Sequence, residues 1–249
     1  MTQQTNEQSC LLRHVCRDAS VSNVCTPLCE SFIRMSGRIQ AADVPSDYRL
    51  VTLQTSPVRD DQPEVYRTMD AYTATFQRQF ENGAKRIKSV YLYSADPGTG
   101  KTTTAAALLN EWMIVQFVGA AKRGQQPPHS PAYFLDVNRM QTVYNRMILS
   151  IGDEAKKPFA DEFNRMLDRA QTTPFVVMDD IGVRDASDAF RAYVHDVINY
   201  RVSNALPTVY TSNVRINELK RVFASRLADR VRDMCVEIEF SGKSKRGMR

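Results

Sequence analysis

One eight-residue stretch, Ala95-Asp96-Pro97-Gly98-Thr99-Gly100-Lys101-Thr102, limits what this chain can become. It lies between a β-prone run, residues 89–94 (SVYLYS), and a long apolar run, residues 103–117. The expected local order is therefore strand, glycine loop, helix. In such a loop successive backbone N–H groups turn inward and, with the helix N-terminus, form a cage of positive partial charge suited to phosphates. Lys101 then reaches the β- and γ-phosphates as a point charge, and the Thr102 hydroxyl ligates Mg²⁺. Asp96, Pro97, Gly98, Thr99, Gly100 and Thr103 complete the cradle. The pattern G-x-x-x-x-G-K-[ST] is met except at its first position, where Ala95 stands.

The second half of such a site must supply acid. Residues 174–180 (PFVVMDD) form an apolar strand that ends in two carboxylates. Asp179 is expected to hold Mg²⁺ through water, and Asp180 to polarise the attacking water as general base. Further on, a strand at residues 208–212 ends in Asn213, an amide able to sense the γ-phosphate or to act as a turn former. Residues 225–230 (SRLADR) place Arg226 and Arg230 four apart on one helix face. An arginine presented by a neighbouring subunit can neutralise charge that develops during phosphoryl transfer.

Elsewhere the text is read by period. Val65, Met69, Tyr72, Phe76 and Phe80 fall on one face of a helix that stops near Asn82-Gly83 and frames the base pocket. Residues 132–137 (AYFLDV) read as a buried strand, residues 138–151 and 187–204 as helices, and another helix lies around Phe163, Met166 and Leu167. The last strand, residues 234–240, alternates as a partly exposed edge strand does. Residues 48–53 alternate like a short strand, and residues 55–63, with two prolines and no apolar period, read as a linker. The expected division is residues 1–54 as a small partner-binding region, then the linker, then residues 64–249 as the nucleotide domain.

At 249 residues and 43% hydrophobic content the chain can bury one sizeable α/β core and a small appendage. The formal charge of +5 and pI near 9.0 permit nucleic-acid contact without demanding it, and the basic excess is C-terminal, from Arg215 to Arg249. Arg139, Arg146, Lys156, Lys157 and Arg165 are either solvated helix faces or the wall of a single-strand DNA channel. No bilayer span or leader is read, so the expected compartment is the cytoplasm, without membrane attachment. Cys10, Cys16, Cys25 and Cys29, with His14 among them, are either the ligands of a tetrahedral Zn²⁺ or reduced thiols.

The order of these motifs resembles a family, the AAA+ ATPases, and within it the DnaC/DnaI-type replicative helicase loaders. The matching stretches are PGTGKT at 97–102, MDDIG at 178–182, NYR at 199–201 with LPTVYTSN at 206–213, SRLADR at 225–230 and G-x-S-x-R at 242–246. The resemblance implies a P-loop core with a five-stranded, mainly parallel sheet between helices and no helical lid. It implies Asn213 as the sensor, Arg230 or Arg226 as the arginine finger, and Arg246 near the nucleotide. It also implies ATP and Mg²⁺ at subunit interfaces of a self-associating protein, and slow ATP hydrolysis that times the loading of a hexameric helicase onto single-stranded DNA. An IstB-like transposition ATPase acting on duplex DNA shares the core and the G-x-S-x-R ending. A P-loop kinase, or a nucleotide-gated binding module without turnover, is a third reading.

Overall fold

The computed structural model describes residues 6, 8–17, 19, 24–182, 186–221 and 225–242; within these, side chains at 221 and 225–227 are left out. Helix α1 (Glu30–Ala41) leads into turns and then α2 (Pro63–Ala74), extended by a 3-10 segment over Thr75–Phe80. There follow β1 (Ser89–Tyr93), α3 (Lys101–Lys122), β2 (Ala132–Asp136), α4 (Val137–Leu149), α5 (Asp153–Thr172) and β3 (Phe175–Asp179). The chain continues through α6 (Asp188–Ser203), β4 (Thr208–Ser212), α7 (Ser225–Met234) and β5 (Cys235–Glu239).

Among the described residues all four strand pairings are parallel, in the order β2-β3-β4-β1-β5. The strands read as apolar runs because both faces of a parallel sheet are covered. Side chains alternate between the faces. Val90 and Leu92 of β1, Phe134 of β2, Phe175 and Val177 of β3 and Val209 of β4 share one apolar layer with α3, α2 and α1. Tyr91, Tyr93, Tyr133, Leu135, Val176, Met178 and Tyr210 share the other with α4, α5, α6 and α7. In the first layer Trp112 stacks on Phe175 with ring centroids 4.8 Å apart, and Phe76 meets both rings edge-on.

Helix α3, 22 residues long, is apolar enough to cross a bilayer, a length the sequence reading did not credit to any apolar run. Most of that apolar window is buried inside the fold instead, as suits a core helix lying under α1 and α2. The edge strand β5 is partly exposed, as its alternation predicts, with Val236 turned toward solvent. The opposite edge is covered: the Phe134 N–H of β2 donates to the Ala42 carbonyl just past α1, at 2.8 Å. Such a bond removes part of the free edge that would otherwise invite pairing.

Two expectations fail, for reasons visible in the packing. Residues 48–53 form no strand; their polar backbone is satisfied by α3 instead. Asn110 Nδ2 donates to the carbonyls of Tyr48 and Val51, both at 2.8 Å, and Glu111 accepts the Leu53 N–H at 3.1 Å. Residues 55–63 are no solvated linker, because Ser56, Val58 and Gln62 are buried. Pro63 serves as the first residue of α2, where its missing N–H costs nothing. Leu11, Leu12, Met35 and Ile39 belong to the same apolar layer as α3, so the N-terminal residues share the main core.

One buried cation organises the far end of the sheet. Arg201 of α6 is fully buried, and its guanidinium donates to the carbonyls of Ala170, Gln171, Thr173, Pro174 and Pro207 and to the Thr208 hydroxyl. The planar fork of arginine matches this ring of acceptors, which gathers the end of α5 and the starts of β3 and β4. Burial lowers its pKa to about 10, so it stays charged at neutral pH.

Candidate nucleotide site

A cleft of about 830 Å³ opens at the C-terminal ends of the strands, where β1, β4 and β3 lie side by side. Ligands of open parallel sheets bind at such a place. Its floor is the glycine loop. Gly98 and Gly100 have φ of 75° and 104°, values open to glycine, and Gly100 caps α3. The first turn of α3, whose N–H groups have no partner within the helix itself, thus opens on the cleft. Lys101 is nearly buried; its ammonium donates to the carbonyls of Asp96 at 3.2 Å and Ser94 at 3.4 Å, which hold it along the loop.

The acidic wall comes from β3. Asp179 accepts the Thr102 hydroxyl at 3.0 and 3.2 Å and the Thr211 hydroxyl at 2.6 Å. Burial pushes the Asp179 carboxyl up to about 6, against the two hydroxyl bonds that lower it, with Asp136 and Asp180 adding to the rise. A cation placed beside it would reverse that rise. Asp180 has φ of 59° and accepts from Asn138 Nδ2 at 3.0 Å, while its own N–H donates to Thr211 Oγ1 at 2.8 Å. Asp136, in register with Asp179, caps α4 by accepting the N–H groups of Asn138 and Arg139. The Ser94 N–H donates to the Ser212 carbonyl, tying the exit of β1 to that of β4.

Of the residues expected from sequence, Pro97, Gly98, Thr99, Gly100, Lys101, Thr102, Thr103, Asp179, Asp180 and Asn213 line one cleft. Asp96 sits beside it and contributes its carbonyl to Lys101. Arg230 stands apart: exposed on α7, its guanidinium bonds the Asn199 side chain of α6. The Arg226 side chain and Arg246 lie outside what the structure describes. The wall expected from the apolar stripe of α2 is supplied by Tyr48, Pro57, Val58, Asp61 and Gln62, residues ahead of that helix, because the stripe itself is spent on α3. Sequence reading missed Asp136, Asn138 and Thr211. Asp136 carried a usable signal, since β2 ends in acid just as β3 does.

The donor set suits Mg²⁺, which takes hard oxygen ligands and is held by one or two carboxylates together with phosphate and water. Thr102 and Asp179, already in contact, would hold it; when bound it neutralises charge on the phosphates. Nothing among the described residues supports a Zn²⁺ site at the cysteines. Cys10, Cys16, Cys25 and Cys29 line a small cavity with Leu12, Val24 and Phe32, and no group of three or more candidate metal ligands is assembled among the described residues. Burial raises the Cys10 pKa.

No family model matches the chain. Over 182 residues it is 26% identical to the replicative helicase loader DnaI of Bacillus subtilis (strain 168), an alignment covering 66% of this chain and 50% of that protein. Over 142 residues it is 22% identical to the replicative helicase loader DnaC of Escherichia coli (strain K12), covering 57% of this chain and 49% of that protein. The chain thus spans about half the length of the curated relatives it matches. The crystal structure of the DnaI superposes with a TM-score of 0.56 at 22% identity, over 80% of this chain and 95% of that one. The fold is an AAA+ P-loop core, and the chain resembles the DnaC/DnaI-type loaders in both sequence and architecture.

Proposed function

We propose that the chain is an ATP-driven loader that places a hexameric replicative helicase on single-stranded DNA, with ATP binding and hydrolysis as the assembly and release switch. The observation that carries this reading is the convergence, in one cleft of a loader-like fold, of Lys101, Thr102, Asp179, Asp180 and Asn213. Lys101 and the α3 N-terminus bind the phosphates. Asp180 takes a proton from the attacking water, and Asn213 orients that water against the γ-phosphate. Val58, Pro57 and Tyr48 close the side where the base lies.

Arg230 supports a shared site. It stands on a surface away from its own cleft, where a group that serves a neighbour must stand, and it would complete that neighbour's charge neutralisation. Leu28 and Ile33 support a docking role for the N-terminal region, since both are exposed apolar side chains there. Lys156 and Lys157, exposed on α5, give the DNA strand a cationic face. On this reading the protein works in the cytoplasm.

Native mass spectrometry of the chain mixed with hexameric replicative helicases, with and without ATP, tests the proposal. The expected result is a complex whose population depends on nucleotide and which captures single-stranded DNA. A chain that ignores every such helicase, or forms ATP-dependent filaments on duplex DNA instead, would overturn it.

A further inference from the structure

The two carboxylates that end β3 face different tasks and need different directions. Asp179 turns toward Thr102, and Asp180 toward Asn138. The backbone between them is held in the left-handed region at Asp180, φ 59°, a conformation that residues other than glycine keep only where their surroundings impose it. The ladder between β3 and β4 runs as far as Met178 opposite Tyr210. Beyond that pair a single residue takes over, Thr211, which is buried in β4. Its hydroxyl donates to Asp179 Oδ1 at 2.6 Å and accepts the Asp180 N–H at 2.8 Å, and its carbonyl accepts the Ile181 N–H at 3.0 Å.

We propose that Thr211 is the positioning residue of the acidic pair. A hydroxyl has one proton to donate and lone pairs to accept with. Here the proton is committed to Asp179 and a lone pair to the Asp180 amide, so one side chain aims the metal-facing carboxylate and fixes the turn that presents the general base. In this role Thr211 acts through its two neighbours, Asp179 and Asp180. The inference rests on the cleft being a magnesium-nucleotide site.

Thr211→Val keeps the shape and the β-branch and removes both bonds; Thr211→Ser keeps both bonds and removes the methyl group. Affinity for ATP, first in EDTA and then with Mg²⁺, is measured on the full chain together with kcat and KM for hydrolysis. Partners that orient a metal ligand usually govern metal affinity or activity by about 10- to 100-fold. Thr211→Val is therefore expected to bind ATP in EDTA as the natural protein does. It should lose about tenfold or more of the affinity that Mg²⁺ adds, and lower kcat measured at saturating ATP with Mg²⁺. Thr211→Ser is expected to restore both. Full Mg²⁺ dependence and kcat in Thr211→Val, or a serine variant no better than valine, would overturn the proposal. If Thr211→Val melts below the assay temperature, Thr211→Cys, a weak donor of similar size, carries the same comparison. Natural protein that binds no ATP in either buffer refutes the underlying nucleotide reading, and the inference falls with it.

Discussion

Replacing Gly100 by alanine should damage the protein through two separable costs. The first is conformational: at φ 104° an L-residue brings its Cβ against its own backbone, which costs roughly 1–2 kcal/mol. The second is steric. A Cβ at this position would lie 2.4 Å from Val58 Cγ1 and 2.8 Å from Val58 Cγ2, too close for either to stay. Overpacking of a well-filled site costs about 1–3 kcal/mol. Gly100→Ala should therefore lose about 2–5 kcal/mol in urea denaturation followed by circular dichroism, and should weaken ATP binding because the loop is displaced. Val58→Ala vacates the colliding atoms. In the double variant most of the steric cost disappears, Val58 Cβ alone remaining at 3.1 Å, and the conformational cost stays, so the two losses should fall short of additive by about 1–3 kcal/mol. Additivity within about 0.5 kcal/mol would show that Val58 does not rest on the loop. That result would also undo the claim that residues 55–63 are packed against the nucleotide site.

Four other outcomes are expected. Asp180→Asn should keep ATP affinity, because asparagine also tolerates the left-handed region, while turnover falls about 10²- to 10⁴-fold; unchanged turnover in a steady-state assay would remove the general base. Burial raises Asp179 from 3.8 to about 6, so the folded chain binds this proton more tightly than the unfolded one, and stability without nucleotide should fall as pH rises through that window. Urea titrations of Asp179→Asn should lack this component, and an identical pH slope in the variant would assign it elsewhere. Arg201→Lys leaves several buried carbonyls without a donor and should cost about 3 kcal/mol, lowering Tm by roughly 6–12 °C in calorimetry; a shift near zero would contradict the role given to that guanidinium. Arg230→Ala and Lys101→Ala, each inactive alone, should regain ATPase activity when mixed, since one supplies the arginine and the other the intact cleft. A mixture as inactive as its parts would place Arg230 outside the reaction.

How far the sequence could be read depended on whether a feature was local. The loop at 95–102 announces itself because its glycines and Lys101 are needed within a few bonds of one another, and its flanking strand and helix follow from the chain's own period. The acidic end of β3 is legible for the same reason. Asn138 and Thr211 were not, because each acts across a gap between strands or helices that only the sheet order closes. Residues 48–53 misled by alternating without a strand partner; Asn110 and Glu111 of α3 had already taken their backbone groups. Residues 55–63 misled by composition: their prolines and charges look solvated, yet Val58 fills the space left by a glycine side chain. Arg201 entered the reading only as the last residue of the NYR stretch at 199–201, with no role assigned to it. Its burial follows from five carbonyls that no sequence pattern reveals.

The most direct test of the central claim, that glycine loop, β3 and β4 together hold a magnesium nucleotide, is calorimetric titration of ATP into the full chain. It is run with Mg²⁺ and again in EDTA, for the natural protein, Lys101→Ala and Asp179→Asn. The account predicts one site per chain with affinity increased by Mg²⁺, binding abolished in Lys101→Ala, and only the Mg²⁺ increment lost in Asp179→Asn. Binding that ignores both substitutions, or no heat of binding in the natural protein, would contradict it.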